Sequence, residues 1–423
     1  MLELLQHILD IPDTSCQLAS MSSTLASKCL RRALDVVVPA LDIAAGRPRG
    51  PEPPTFCQDR GYTDFLVSLS DEELERCEAE GLASRLHALE NVPPSLAALA
   101  RDLLDVARLP ASIHNDKPHR LGKQRSVSER KQNEIEALLV AVAPFAARAR
   151  RIIDVGAGRG HFTRIAAEFF DRDAIGIERE PERVMTAARL SLGSRARFVL
   201  VDAGREPLHF DAEDLVIGLH ACGALGDRLI SAAAQARCDM VLVSCCLQKI
   251  EGSARLPLSN AARLAGLVLL RETLGLSNLT SRRRGVESTL GETIEARRKR
   301  FALTRLLRHR GVAVEPGEEM RGINRRFAHK PFAELVQKAL LHRGLALASP
   351  HEIDHHDRCG AAEFIQMRRF SLPRAMMARA LEVTVAFDRA VLLEEHGFDA
   401  HVVEVFDKDV TPRNLATIGA ARR

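Results

Sequence analysis

The run Arg151-Ile-Ile-Asp-Val-Gly-Ala-Gly-Arg-Gly-His-Phe162 sets one acid beside three alternating glycines. Asp154 precedes Gly156 by two residues, and Ala157, Gly158 and Gly160 complete the turn. Glycine lets a backbone bend sharply and approach a ligand with no Cβ in the way. The helical pattern opening near His161 aims free N–H groups and a positive dipole end into the same space. Such a turn holds a nucleotide-like cofactor. Dinucleotide folds use G-x-G-x-x-G with a pyrophosphate over the helix N-terminus. Here the spacing is G-x-G-x-G, and a carboxylate at position 154 would repel a pyrophosphate but accept a hydrogen bond from an ammonium group.

The D-x-G-x-G-x-G pattern resembles the first motif of class I methyltransferases that use S-adenosyl-L-methionine (SAM). The resemblance implies SAM as cofactor, with its ammonium group toward Asp154. Ala174-Ile-Gly-Ile-Glu178 reads as a second strand whose terminal acid is placed for both ribose hydroxyls, a feature shared with NAD enzymes. Arg197-Phe-Val-Leu-Val-Asp202 reads as a third, and the resemblance makes Asp202 the acceptor for the adenine amine. Capping acids on ordinary core strands would explain any one of these, but not the ordered set. Three strands with terminal acids and helix-length spacers predict an α/β fold: a doubly wound, Rossmann-like sheet binding at its carboxyl edge.

Two further strand ends carry reactive groups. Asp214-Leu-Val-Ile-Gly-Leu-His-Ala-Cys-Gly223 predicts the fourth strand and its exit, and Asp239-Met-Val-Leu-Val-Ser-Cys-Cys246 the fifth. In such a methyltransferase the fourth strand ends beside the transferable methyl. His220 and Lys249 are then the bases within reach, and Cys222 the nearby thiol. Direct in-line transfer needs proximity and deprotonation, with neither metal nor covalent intermediate. A rival mechanism resembles the RNA cytosine-C5 methyltransferases, with Cys222 and Cys246 as thiolates, although the proline expected beside the cysteine is missing. The bland alternatives are a satisfied strand-end histidine and small core cysteines.

The G-L-H-A-C-G and S-C-C segments, with Arg130-Lys-Gln-Asn-Glu-Ile135, resemble the methyltransferase-like protein 25 group. A related branch contains the eukaryotic 2′-O-methyltransferase of the tRNA acceptor stem. Val403 to Ala416 resembles the group's closing strand pair, so the likeness spans about 126–423. The chain departs from the group at Leu247 and Gln248, leaving only Lys249 after the Cys-Cys pair. It departs again at Ala224, where an acid is usual and Asp227 follows a turn later.

Around this core the sequence divides into a helical N-terminal region (1–125), core strands (126–255), a mostly helical basic insertion (256–371) and a closing helix with the last strand pair (372–423). Ser70-Asp-Glu-Glu73 has the form of a capping box, with Leu74, Cys77 and Leu82 as its apolar face. Gly46 to Pro54 reads as a loop, 115–127 as a hinge, and Glu129 to about Ala147 as a helix leading into the glycine turn. Leu381–His396 is the last crossover helix, and His401–Phe406 and Leu415–Gly419 the antiparallel pair. His351, Asp354, His355, His356, Asp357 and Cys359 gather in one run, read as a polar loop, with a metal site the lesser alternative because zinc sites usually show two spaced ligand pairs.

Arg282-Arg-Arg284, Arg297-Arg-Lys-Arg300, Arg305, Arg308, Arg310, Arg325 and Arg326 make the insertion basic, which favours RNA as partner and acceptor. A protein acceptor, or a module without chemistry, are the alternatives, and a solvated helix face is the plain reading of the charge. Net charge is only +4, with no Trp and one Tyr, so neither bulk charge nor many stacked aromatics drive nucleic-acid binding. The nine cysteines lack disulfide spacing, no signal peptide is evident, and no apolar run reaches the roughly 18–20 residues of a membrane span. These features predict reduced thiols and a cytoplasmic enzyme.

Overall fold

The computed structural model describes residues 24–109, 127–280, 290–315, 317–406 and 413–422. A seven-stranded sheet is built from β1 (Arg151–Val155), β2 (Asp173–Glu178), β3 (Ala196–Leu200), β4 (Asp214–Leu219), β5 (Asp239–Val243), β8 (Phe398–Glu404) and β9 (Leu415–Ala421). The order is β3-β2-β1-β4-β5-β9-β8, parallel except where β9 runs against β5 and β8. The order reverses at β1, which pairs with β2 on one side and β4 on the other. In doubly wound sheets the crevice outside the carboxyl ends at such a reversal is where ligands bind. A further pair, β6 (Ala254–Arg255) and β7 (Leu269–Leu270), stands apart.

Side-chain alternation gives the sheet two apolar faces. Ile152, Leu215, Ile217 and Val241 pack with Ile135, Leu138 and Leu139 of the Glu129–Ala146 helix and Phe162 of the His161–Phe170 helix. Ile153, Val155, Val216 and Leu242 face the Ala224–Ala236 and Ala378–Glu395 helices. β4 and β5 are buried along their whole length, as strands covered on both faces must be.

The N-terminal helices join this second core. Leu30, Leu34 and Val37 of the Leu25–Val37 helix belong to it, and the predicted capping box is present at Ser70, with Leu74, Cys77 and Leu82 buried. The insertion keeps a core of its own around Leu303, Leu306, Leu335 and Leu340. Its Leu290–His309 helix lies against a 27-residue helix, Pro350–Met376, where Gly360 leaves space for Ala302. Arg368 and Arg369 of that long helix pair with Glu78 and Asp71 at 2.7 and 2.9 Å, tying it to the N-terminal region.

Two sequence expectations change here. The His351–Cys359 run is no loop but the first turns of the Pro350–Met376 helix: Ser349 accepts from the Glu352 amide, and Pro350 occupies the first turn, where its missing N–H costs nothing. His356 is buried, its Nδ1 2.7 Å from Arg305, and burial, reinforced by that guanidinium, pushes its pKa down. The insertion's arginines are also less free than their number suggests. Arg298 pairs with Glu295 and Asp357, Arg300 with Glu319, Arg305 with Glu363 and Arg310 with Glu352. Apart from Glu295, the acids that balance them come from distant turns, so composition along the run overstated the free charge. Arg282 to Arg284 lie outside the described residues.

Candidate functional site

Gly156, Gly158 and Gly160 all take positive φ, at 82°, 59° and 71°. Their roles differ. A Cβ added at Gly156 or Gly158 would meet nothing within 4 Å, so the turn leaves open space above its backbone. A Cβ at Gly160 would strike the Phe198 ring and Ala187. Gly160 therefore also serves packing against β3. Ala157 is half-buried, and its amide donates to the Ile177 carbonyl, which fixes the turn on β2.

Asp154 is buried and accepts the Thr163 hydroxyl at 2.6 Å. Burial raises its pKa to about 6, with the Thr163 bond and the Lys131 charge pulling the other way. Glu178, also buried, accepts the Gly158 amide at 2.8 Å on one oxygen and the amides of Arg179 and Glu180 on the other. Its carboxylate is thus held at the lip of the glycine turn. Asp202, two residues past β3, keeps a partly open side chain and accepts from the Gly204 amide.

His220 leaves β4 with φ at 67°, a conformation rare for a residue bearing a Cβ and found where surrounding structure enforces it. Its amide donates to Val243 of β5, its Nε2 lies 3.3 Å from Glu134, and its buried Nδ1 has no partner. Glu134 also receives Lys131 at 3.3 Å and Arg130 at 3.4 Å. Burial would raise its pKa, but the His220 and Lys131 contacts outweigh burial and hold it below the usual carboxylate value. Sequence reasoning quoted the Arg130–Ile135 segment without singling out Glu134. The available signal was an acid four residues before Leu138 on a mostly apolar buried face.

Other candidates are placed differently. Lys249 is exposed, and what the fold uses is its backbone: its carbonyl accepts the Ala224 amide and sits where a Cβ on Gly223 would fall. Cys222 stands as a disulfide with Cys245, contrary to the expectation of reduced thiols, because β4 and β5 run in register and exit side by side. A thiolate attack by Cys222 is closed to it in that state. Cys246 keeps a free thiol. Asp227 is no acid–base group: Arg255 and Arg389 both contact it at 2.8 Å, and Arg255 also reaches Asp388 at 2.8 Å. This network ties the Ala224–Ala236 helix and β6 to the closing helix. Beside it opens a cleft of about 530 Å³ lined by Gly204, Arg205, Ala224, Asp227, Arg228 and Arg255 among others.

The open space over Gly156 and Gly158, the two acids at the ends of β2 and β3 and the unpartnered His220 nitrogen fit a nucleoside-type cofactor. Residues 130–253 match the family model Methyltransf_32, described as a methyltransferase domain. The chain shares 19% identity with a TehB-like SAM-dependent methyltransferase from Corynebacterium glutamicum, covering 26% of this chain and 60% of that one (TM-score 0.22). It shares 21% with a SAM-bound amino pentose methyltransferase from Micromonospora echinaspora, covering 30% and 58% (TM-score 0.23). With a sugar N-methyltransferase from Streptoalloteichus it shares 20%, covering 32% and 60% (TM-score 0.23). The chain thus spans about three fifths of each of these structures, and likenesses of this size add nothing to the topology above. Segment 130–253 is thus the part of the chain that is similar to a methyltransferase domain. No described helix is long and apolar enough to cross a membrane.

Proposed function

We propose that this chain transfers a methyl group from SAM to RNA at the carboxyl edge of β4 and β5. The observation that carries the transfer reading is His220, held at positive φ at the end of β4 with one nitrogen on Glu134 and the other without a partner. In this reading the Gly156–Gly158 turn, Glu178 and Asp202 hold the nucleoside, and Asp154 faces the ammonium end. The bound sulfonium supplies an electrophilic methyl. His220 takes the acceptor's proton, and Glu134 keeps the imidazole oriented. The finer kinship, to the methyltransferase-like protein 25 group, belongs to the same proposal.

The choice of RNA is supported by exposed cations with no side-chain partner among the described residues, Arg321 and Arg325, and by Arg205 at the cleft. Pairing of Arg298, Arg300, Arg305 and Arg310 inside the insertion weakens the charge argument but leaves these groups facing solvent. The test is radiolabelled SAM with total RNA and total protein from the source cell. Label lost on nuclease digestion supports RNA. Label that survives nuclease and is lost with protease replaces RNA by a protein acceptor.

A further inference from the structure

We propose that Cys222, Cys245 and Cys246 form a site for one soft divalent ion of the zinc class, held by three thiolates. The three sulfurs lie within 4.8 Å of one another, and among the described residues no other grouping of histidine, cysteine or carboxylate ligands comes together in this way. The convergence follows from topology. Leu219 pairs with Val243 in register, so the exits of β4 and β5 emerge side by side and bring together cysteines 23 residues apart.

Donors reach two of the sulfurs, and the His220 carbonyl lies 2.9 Å from Cys222 Sγ. The Cys246 amide donates to Cys222 Sγ at 3.2 Å, and the Arg413 guanidinium donates to Cys246 Sγ at 3.1 Å. Donors aimed at sulfur stabilise thiolates and orient metal ligands. Cys222 also lies two residues before the Ala224–Ala236 helix, at its positive dipole end. Three thiolates so close would repel one another, and a cation among them removes that repulsion. An all-sulfur set excludes magnesium and calcium, which take oxygen ligands, and favours zinc or another thiophilic ion. Iron–sulfur clusters are usually held by four protein ligands. Three ligands suit a single ion with its fourth position open, the arrangement of catalytic rather than structural zinc. Cys222 is buried and the other two are half-buried.

The Cys222–Cys245 disulfide, with Cα atoms 5.6 Å apart, is the oxidised, metal-free state of the same site. A dithiol reductant delivers two electrons and two protons to the S–S bond and is itself oxidised to a disulfide. The three thiols then release three protons as the divalent ion binds.

The experiment uses the full chain, reduced with dithiothreitol, desalted without oxygen and titrated with cobalt(II). The expected result is one equivalent bound, with sulfur-to-cobalt charge-transfer absorption that one equivalent of zinc bleaches. Cys222→Ser, Cys245→Ser and Cys246→Ser should each lose intensity, while Cys359→Ser keeps it. Wild-type protein gives a readout that no folding defect can mimic. Alkylation mapped by mass spectrometry should slow at Cys222, Cys245 and Cys246 together once cobalt is added. Equal alkylation rates with and without metal, no charge-transfer band in fully reduced protein, or an unchanged spectrum in Cys246→Ser would each overturn the site.

Discussion

His220 Nε2 and the Glu134 carboxylate meet at 3.3 Å, joining the exit of β4 to a helix that precedes the sheet by chain order. Glu134 is a positioning residue in the proposed transfer, so Glu134→Gln should lower kcat by about 10- to 100-fold with little change in the KM for SAM. It should also change the pH profile, because a neutral amide replaces the carboxylate that His220 contacts. The stability sign follows from the lowered carboxylate pKa: the pairing stabilises the fold above the ordinary value of 4.5 and is lost as pH falls through the folded pKa. The stability gap between wild type and Glu134→Gln should accordingly be present at neutral pH and close in acid. A turnover profile identical in both proteins would take Glu134 out of the mechanism.

If Asp154 faces the ammonium group as proposed, SAM binding should depend on pH. Its pKa of about 6, raised by burial above the ordinary 3.8, leaves it neutral below pH 6 in the free protein. Only the carboxylate pairs with an ammonium group, so SAM affinity should fall up to tenfold per pH unit below that point. For the free protein the sign is the reverse of the usual paired acid. Ionising Asp154 costs no stability below 3.8, an increasing amount between 3.8 and about 6, and a constant amount above. Asp154→Asn should therefore stabilise the free protein at pH 7.5, by at most about 3 kcal/mol, while weakening SAM binding. Calorimetry and thermal unfolding at pH 5 and 7.5 check both halves. Unchanged SAM affinity in Asp154→Asn would remove the residue from the ammonium contact.

Much of this was legible in the chain, for a local reason. Strand, acid, glycine turn and helix follow one another within twenty residues at Arg151–Phe170, so pattern and structure coincide there. The terminal strand pair also appears as read, with β9 inserted between β5 and β8. Contacts that close over long separations were not legible. Glu134 meets His220 across 86 residues and Arg389 meets Asp227 across 162. The partners of Arg298 and Arg310 lie up to 59 residues away. The His351–Cys359 run was misread because its ligand-type residues drew attention from the Ser349-Pro350 helix start.

Gly158 and Gly223 should separate binding from folding. Both have positive φ, at 59° and 56°, but an added Cβ meets open space at Gly158 and the Lys249 backbone at Gly223. Gly158→Ala should cost about 1–2 kcal/mol of backbone strain and reduce SAM affinity. Gly223→Ala must push the Lys249 peptide aside and should cost more stability. Denaturant unfolding and SAM calorimetry on the two variants check the ranking. A more stable Gly223→Ala would show that the β4 and β5 exits are not locked together.

The Asp227 network should behave as a buried ion cluster. Arg389→Met leaves Asp227 with Arg255 alone in a buried setting, and breaking such a pair typically costs about 3–5 kcal/mol. Burial would raise the Asp227 pKa, but the two guanidinium groups outweigh it and hold it low. Arg389→Met should lift that pKa and make the variant's acid unfolding begin at higher pH. Identical acid transitions would mean that the cluster is not what holds the closing helix to the Ala224–Ala236 helix.

Charge in the insertion falls into two kinds, and the two should respond oppositely. Arg298 is enclosed by Glu295 and Asp357, whose contacts raise its pKa, so Arg298→Gln should destabilise the insertion and leave the salt dependence of RNA binding alone. Arg321 and Arg325 are exposed and carry no side-chain partner among the described residues, so Arg321→Gln and Arg325→Gln should leave stability unchanged. If they contact phosphates, each should flatten the slope of log affinity against log salt by about 0.7–0.9. SAM binding should be the same in all three, because the glycine turn and the acids at the ends of β2 and β3 lie outside the insertion. A slope that changes in Arg298→Gln but not in Arg321→Gln or Arg325→Gln would place the RNA surface elsewhere. A wild-type slope near zero would remove phosphate recognition altogether and leave the methyltransferase domain with an acceptor of another class.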